Sequence, residues 1–222
     1  MFGSYLPILI IAVVLGLATQ GFVNASYRRY SQVALATGKS GAEVARYMLD
    51  SEGLGHVGIE MVPGHLTDHY DPKQDVLRLS EDVYRGRTVA AAGIAAHEAG
   101  HAVQHARGFV FARVRGALVP TAQLGSSLAF PLILGGLFIG LSGLITLGVI
   151  MFAGAVLFQI VTLPVEFDAS RRAVAALSIG NALPAEQMSG ARTVLTAAAL
   201  TYVAATLIAV LQLLYFLGLS RR

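Results

Sequence analysis

The amino-acid sequence predicts a mainly α-helical membrane protein with about four transmembrane helices and a small α+β region outside the bilayer. The chain of 222 residues is 55% hydrophobic and only 13% charged, whereas a soluble domain carries about 25% charged residues. Its mean hydropathy is +0.64. Asp, Glu, Lys, Arg and His are absent from three long stretches, residues 1–27, 116–165 and 193–220.

The three uncharged stretches have room for four membrane spans, because a spanning helix needs about 20 apolar residues. The first and third stretches hold one span each, and the second holds two, joined by a tight turn at Gly140-Leu141-Ser142-Gly143. The expected spans are, approximately, residues 5–24, 118–139, 144–163 and 195–217. We interpret the first as an uncleaved anchor rather than a signal peptide, because Arg28 and Arg29 follow it and no basic residue precedes it.

The distribution of basic residues predicts the orientation in the membrane. Residues 25–116 and 164–192 hold 14 of the 16 Lys and Arg residues, and the turn near residue 140 holds none. By the positive-inside rule, both polar segments are expected on the cytoplasmic side of the cell membrane, with the N-terminus outside. The same arrangement places Arg221 and Arg222 outside, and the fourteen other basic residues outweigh them.

The polar segments show no sign of nucleic-acid binding. Between residues 25 and 116, 11 basic residues alternate with 10 acidic ones instead of forming a basic stripe. The chain has no cysteine, so any bound metal must be held by His, Asp or Glu. The expected partners are therefore the lipid bilayer and a peptide or membrane-protein substrate, and the sequence leaves the oligomeric state open.

Local signals in the first polar segment predict its helices and strands. Ser40 to Glu43 forms a capping box, which starts a helix that runs to Ser51. Thr88 caps a second helix, which is expected to end at Arg107, before Gly108. Residues 57–62 and 76–79 are expected to be strands, with a turn at 71–74 between them. We interpret 76–79 as an edge strand that could hold a peptide by backbone hydrogen bonds.

The second predicted helix carries the H-E-x-x-H motif as His97-Glu98-Ala99-Gly100-His101. Residues four apart lie on one helical face, so both imidazoles can bind one ion. A zinc ion held in this way keeps a position for water and lowers the pKa of that water towards about 7. Glu98 is then the general base that takes the proton. The motif therefore predicts one Zn²⁺ bound by His97 and His101, with Glu98 catalytic.

The third protein ligand must come from elsewhere in the chain, because a catalytic zinc site usually has three. Glu166 is our candidate. It follows the third predicted span, and the two middle spans form a hairpin that returns the chain to the membrane face where it left. We expect a helix to start after Pro164, with Glu166 in its first turn. Asp168 is the rival ligand, and the two point apart on a helix.

The other histidines fit the metal site less well. His105 continues the spacing of four residues, but it lies about 12 Å along the helix axis from His97, too far to share one ion. We expect it to have a supporting or structural role. His56, His65 and His69 lie in the polar segment, and one of them could stabilise the oxyanion of a tetrahedral intermediate.

Four ordered segments resemble the YugP-type neutral zinc metallopeptidases of bacterial membranes, and the resemblance covers nearly the whole chain. The segments are residues 66–72 (LTDHYDP), 79–84 (LSEDVY), 96–105 (AHEAGHAVQH) and 166–170 (EFDAS). The resemblance implies a membrane peptidase with a zincin-like catalytic region around the H-E-x-x-H helix.

A more distant similarity is to membrane-bound gluzincins of the heat-shock and CAAX-processing kind, which also place spans between H-E-x-x-H and a downstream Glu ligand. In those proteins an Asp four residues after that Glu supports a zinc-bound histidine. Here the corresponding position is Ser170. Either Asp168 takes this role or Ser170 forms a weaker hydrogen bond, and the partners that orient metal ligands affect affinity.

The sequence thus predicts an integral membrane zinc metalloendopeptidase of the gluzincin type with five segments. These are a transmembrane anchor (1–26), the catalytic region (27–115), a transmembrane hairpin (116–164), a helical segment with the third ligand (165–192) and a C-terminal transmembrane helix (193–222). One alternative is a non-catalytic membrane scaffold with a closed four-ligand zinc site. Another is an intramembrane protease, although the apolar run before the motif is too short to span. Ionisable residues inside the spans would have favoured a transporter, and none are present.

Overall fold

The computed structural model describes residues 5–179 and 183–220, and the predictions for Arg221 and Arg222 lie outside these residues. Within them the structure is mainly helical with one small sheet. The elements are α1 (Leu6–Tyr30), α2 (Gly41–Ser51), β1 (Gly58–Val62), β2 (His69–Asp71), β3 (Val76–Ser80), α3 (Glu81–Tyr84), α4 (Val89–Ala106), α5 (Val110–Ile139), α6 (Ser142–Ile179) and α7 (Ala185–Ser220).

Four helices in the described part of the chain, α1, α5, α6 and α7, are long and apolar enough to cross a membrane. The number of these candidate helices matches the predicted number of spans, and each helix extends beyond its predicted span. The turn between α5 and α6 lies where it was expected. Gly140 adopts φ 71° there, a left-handed conformation that favours glycine.

The expectation that a helix starts after Pro164 is wrong, because α6 is continuous through this residue. Proline lacks one backbone donor, and long apolar helices tolerate this loss where neighbouring groups satisfy the freed carbonyl. Glu166 consequently lies in the interior of a 38-residue helix rather than in a first turn.

The chain forms two compact units. One contains Thr19–Phe109 and Val165–Leu200, and the other contains the remaining described residues, with Val110–Pro164 as its central segment. In the second unit, the aromatic rings of Phe130, Phe152 and Phe216 meet edge to face, with centroids 5.5 to 5.9 Å apart. Edge-to-face contact suits the ring quadrupoles.

The unit with Thr19–Phe109 and Val165–Leu200 contains a three-stranded sheet in the order β1-β3-β2. β3 pairs with β1 in parallel and with β2 antiparallel. The expectation that 76–79 is an edge strand is therefore wrong, since β3 is bonded on both sides and has no free edge. The sequence pattern missed β2 because three residues are too few for alternation to show.

The predicted helix caps are confirmed. The Ser40 hydroxyl accepts a hydrogen bond from the Glu43 amide, and the Glu43 carboxylate accepts one from the Ser40 amide. The Thr88 hydroxyl accepts from the Ala91 amide at the start of α4. Beyond the end of α4, Gly108 adopts φ 62°.

Small residues let α4 pack closely against its neighbours in this unit. A Cβ atom added to Gly93 would lie 3.7 Å from the Cα of Ala191 on α7, and one added to Gly100 would lie 2.7 Å from the backbone oxygen of Ala169 on α6. Ala95, like most alanines of α4, is fully buried. The helix with the H-E-x-x-H motif therefore lies backbone to backbone with the segment that contains Glu166.

Candidate metal centre

Three predicted ligand side chains, on two helices, converge in the structure. His97 and His101 are one turn apart on α4, and their ring centroids are 4.7 Å apart. Glu166 reaches them from α6. Its Oε2 atom lies 3.3 Å from His97 Nε2 and 3.7 Å from His101 Nε2. The potential ligand atoms of the three residues all lie within 4.8 Å of one another.

The distance from Glu166 to His97, 3.3 Å, lies within the donor spacing of a tetrahedral ion, and the distance to His101, 3.7 Å, slightly exceeds it. Two donors bound at about 2.0–2.2 Å to one tetrahedral zinc lie about 3.3–3.6 Å apart. The burial of the Glu166 carboxylate also favours a bound cation, because the side chain is only 3% exposed. A buried carboxylate is costly unless positive charge or a metal compensates it. Two nitrogens and one oxygen form a donor set that a divalent transition metal accepts.

Glu98 follows His97 on α4 and is half-buried. Burial of the His101 ring works to lower its pKa, but the contact with the Glu166 carboxylate and the charge of Glu98 outweigh it and raise the pKa. Burial raises the pKa of Asp68, and the charge of Glu98 adds to the rise. Glu98 is thus close enough to the candidate ligand His101 and to Asp68 for its charge to act on both.

Two further side chains contact the Nδ1 atoms of the two imidazoles, which we call the outer nitrogens because Nε2 is the atom nearer Glu166. The Nδ1 atom of His97 lies 3.1 Å from the Ser170 hydroxyl, and that of His101 lies 3.0 Å from Oε1 of Gln104. Asp168 hydrogen-bonds to Gln104 and pairs with Arg172. Of the two alternatives for the supporting residue, Ser170 therefore contacts a candidate ligand directly, and Asp168 contacts one through Gln104.

A protein-family model described as "Putative neutral zinc metallopeptidase" matches residues 5–221. The chain belongs to this family. One relative, described as "Putative membrane protease YugP" from Bacillus subtilis (strain 168), is 44% identical over 207 residues, which cover 93% of this chain and 92% of the relative. No solved structure matches the chain. The resemblance inferred from the four sequence segments is confirmed.

Membership of this family indicates which metal the three converging side chains could bind. The family description names zinc, and among the described residues one group of His, Asp and Glu side chains is close enough to hold an ion. That group is made of His97, His101 and Glu166. The residues present thus fit the metal that the family name implies.

The remaining histidines of this family member lie elsewhere. The ring of His105 lies 5.9 Å from the Tyr70 ring, outside the group of three. His56 pairs with Asp75, and His65 with Asp82, on the exposed surface. The imidazole of His69 hydrogen-bonds to the backbone oxygen of its neighbour Thr67. The contacts of His56, His65 and His69 are thus typical of exposed ion pairs and turns.

Sequence reasoning missed two residues around the candidate metal centre. Gln104 lies three positions after His101, on the same helical face, and this spacing was the available signal. Asp68 lies in the LTDHYDP segment, which carries part of the family resemblance but suggested no role for this residue. Its carboxylate accepts hydrogen bonds from the backbone amide and the hydroxyl of Ser80, at the end of β3. Asp68 thus ties the segment before β2 to the strand that precedes α3.

Proposed function

We propose that this chain is an integral membrane zinc metallopeptidase that hydrolyses peptide bonds, with His97, His101 and Glu166 as zinc ligands. The observation that carries the proposal is that the carboxylate of Glu166 on α6 and the two imidazoles on α4 converge, with their potential ligand atoms within 4.8 Å of one another. The family description and the description of the Bacillus subtilis relative support it. The ligand order, H-E-x-x-H followed by a distant Glu, is of the gluzincin type.

Each residue has a defined part in this mechanism. His97 and His101 would hold the ion through Nε2, and Glu166 would hold it through Oε2. When bound there, zinc would polarise a carbonyl and make a water more acidic. Glu98 accepts the proton of the attacking water on its carboxylate and returns it to the leaving amine. Ser170 and Gln104 restrain the outer nitrogens of the two rings.

The experiment that tests the ligand set is metal analysis of the purified protein together with cleavage of casein or a peptide. We expect about one zinc per chain in the wild type, and loss of both zinc and cleavage in Glu166→Ala. The matched control is Glu81→Ala, at a carboxylate that is 66% exposed, which should leave both unchanged. Full zinc content in Glu166→Ala would remove Glu166 from the ligand set.

A non-catalytic zinc scaffold is the alternative, and it requires a closed site with four protein ligands. In residues 5–179 and 183–220 the candidate group has three members, which favours the catalytic reading. The Asp168 carboxylate is bonded to Gln104 and Arg172. Zinc in the wild type without cleavage of any peptide would favour the scaffold.

We further propose that the catalytic region lies on the cytoplasmic side of the cell membrane and acts on peptides or membrane proteins near its surface. The placement rests on the positive-inside rule, and the four apolar helices support a multi-pass protein. The helix with the motif, α4, is not one of these four, which favours this reading over an intramembrane protease. Nucleic acid is not an expected partner.

A further inference from the structure

We propose that Gln104 is a positioning residue that holds His101 in the one neutral tautomer whose Nε2 lone pair faces Glu166. The inference rests on the proposed function, since it matters only if His101 binds the metal. Gln104 lies on α4, one turn after His101, and is 1% exposed. A buried amide must satisfy its hydrogen-bonding groups within the protein.

The contacts of the amide fix its orientation. The Gln104 Nε2 atom lies 2.7 Å from the backbone oxygen of Val165 and 3.0 Å from Oδ2 of Asp168. Both partners are acceptors, so each takes one of the two N–H hydrogens. Rotating the amide by 180° would place its oxygen against two acceptor oxygens, which is repulsive, and would turn its N–H groups away from both. Oε1 must therefore face His101.

The orientation of the amide decides the tautomer of the imidazole. Gln104 Oε1 lies 3.0 Å from Nδ1 of His101, and an amide oxygen only accepts hydrogen bonds. Nδ1 must then carry the hydrogen, which leaves the lone pair of the neutral ring on Nε2. This is the nitrogen that lies 3.7 Å from the Glu166 carboxylate, beyond hydrogen-bond distance, whereas Nδ1 is within hydrogen-bond distance of Gln104. The hydrogen bond thus prepares the ring for a metal before any ion binds.

Asp168 anchors the amide in turn. Its side chain is 5% exposed and pairs with Arg172 at 2.6 Å and with Arg171. A chain of contacts therefore runs from the two arginines through Asp168 and Gln104 to His101. Carboxylate support of a metal-binding imidazole is here delivered through an intervening amide.

The Nδ1 atom of His97 has no equivalent constraint. It lies 3.1 Å from the Ser170 hydroxyl, which rotates and can either donate or accept a hydrogen bond. A hydroxyl is compatible with both tautomers, so this contact does not select one. The two candidate ligands are thus oriented with unequal strength, and Ser170→Ala is the matched control for changes at Gln104.

The first test measures the tautomer in zinc-free protein, independently of activity. Long-range ¹H–¹⁵N correlation spectra of the chain in detergent, at a pH where the ring is neutral, distinguish protonated Nδ1 from protonated Nε2. We expect His101 to be protonated at Nδ1 in the wild type, and to become a mixture of tautomers in Gln104→Leu. Protonation of His101 at Nε2 in the wild type would overturn the inference, whether or not any variant folds.

The second test measures zinc affinity by competition with a chelator. We expect Gln104→Leu to weaken zinc binding by about 10–100-fold, and Ser170→Ala to weaken it by less. Gln104→Glu places a carboxylate against Asp168 and should bind zinc poorly. Adding Asp168→Asn to Gln104→Glu restores a donor opposite the new carboxylate and should recover part of the lost affinity, since the backbone oxygen of Val165 still faces an acceptor.

These outcomes separate the two proposals. If the wild type binds no zinc, the proposed function fails, while the tautomer of His101 still tests the role of Gln104. If zinc binds and Gln104→Leu keeps wild-type affinity and a single tautomer, the positioning role is refuted. A thermal unfolding curve for each variant identifies losses of affinity that are caused by unfolding. If Gln104 had only a structural role, the double variant Gln104→Glu with Asp168→Asn would not be expected to recover zinc affinity.

Discussion

Gly100 lies against the backbone of Ala169, so that a Cβ atom added to Gly100 would come 2.7 Å from the Ala169 carbonyl oxygen and 3.2 Å from its Cα. The contact falls between Glu166 and Ser170, the two α6 residues that approach His97. The glycine inside the H-E-x-x-H motif therefore sets the distance between the two helices that supply the candidate ligands.

This contact predicts that Gly100→Ala weakens zinc binding at the candidate metal centre. The added methyl group meets backbone, which cannot rotate away, so α4 and α6 must separate or the fold must lose about 1–3 kcal/mol. We expect lower zinc affinity and a lower unfolding temperature, measured by chelator competition and thermal unfolding. Gly116→Ala is the control, because nothing lies within 4 Å of its added Cβ. Wild-type affinity and stability in Gly100→Ala would contradict the prediction.

The proposed role of Glu98 predicts that Glu98→Gln loses cleavage while it keeps zinc. The amide has nearly the shape of the carboxylate but cannot accept the proton of the attacking water. Loss of general base catalysis typically costs about 10²–10⁴-fold in rate. The measurement is kcat/KM on a peptide together with zinc content, with Glu81→Gln as the matched surface control. Near wild-type cleavage in Glu98→Gln would remove Glu98 from the mechanism.

The hairpin that joins β2 and β3 predicts a pH-dependent effect of Asp71→Asn. The hydrogen bond from Arg78 to the Asp71 carboxylate, at 2.7 Å, lowers the pKa of Asp71, and amide hydrogen bonds from Lys73 and Gln74 add to the shift. Because the folded-state pKa is depressed, the stabilisation is present above the ordinary pKa of about 4 and is lost as pH falls through the lower folded value.

We therefore expect Asp71→Asn to lower the free energy of unfolding at pH 7 and to have a smaller effect near pH 3. Denaturant unfolding of the detergent-solubilised protein at the two pH values measures the difference. Asp50→Asn provides a control at a carboxylate that is 55% exposed, where we expect a small effect at both values. An equally large loss at both pH values for Asp71→Asn would show that the ion pair is not responsible.

The predicted membrane orientation can be tested directly because the chain contains no cysteine. A cysteine introduced at Lys73, which is exposed in the β2–β3 turn, should react with a membrane-impermeant maleimide only after the cells are opened. A cysteine at Leu141, which is 51% exposed in the α5–α6 turn, should react in intact cells. Labelling of Lys73→Cys in intact cells would reverse the proposed orientation.

Features that depend on neighbours in the sequence were predictable. The helix caps at Ser40 and Thr88, the turn at Gly140 and the number of apolar helices follow from hydrogen bonds within a few residues and from the length of chain needed to cross a bilayer. The pairing of His97 with His101 is equally local, because the helical repeat alone brings them together. The family resemblance was visible in four short segments.

The errors arose where distant segments meet. The sequence did not show that β3 is the central strand, because β2, which pairs with its second edge, is only three residues long. It also indicated a break at Pro164, whereas surrounding structure keeps α6 continuous.

The sequence alone therefore determined the apolar spans, the local caps and the helical face that carries the two imidazoles, since these depend on short-range geometry and on solvent. Only the tertiary structure brought Glu166 to that face and linked Gln104 to Asp168, which is 64 positions away in the chain. Such contacts require two helices to approach closely, and the approach is set by the shapes of Gly100 and Ala169 rather than by any periodic pattern.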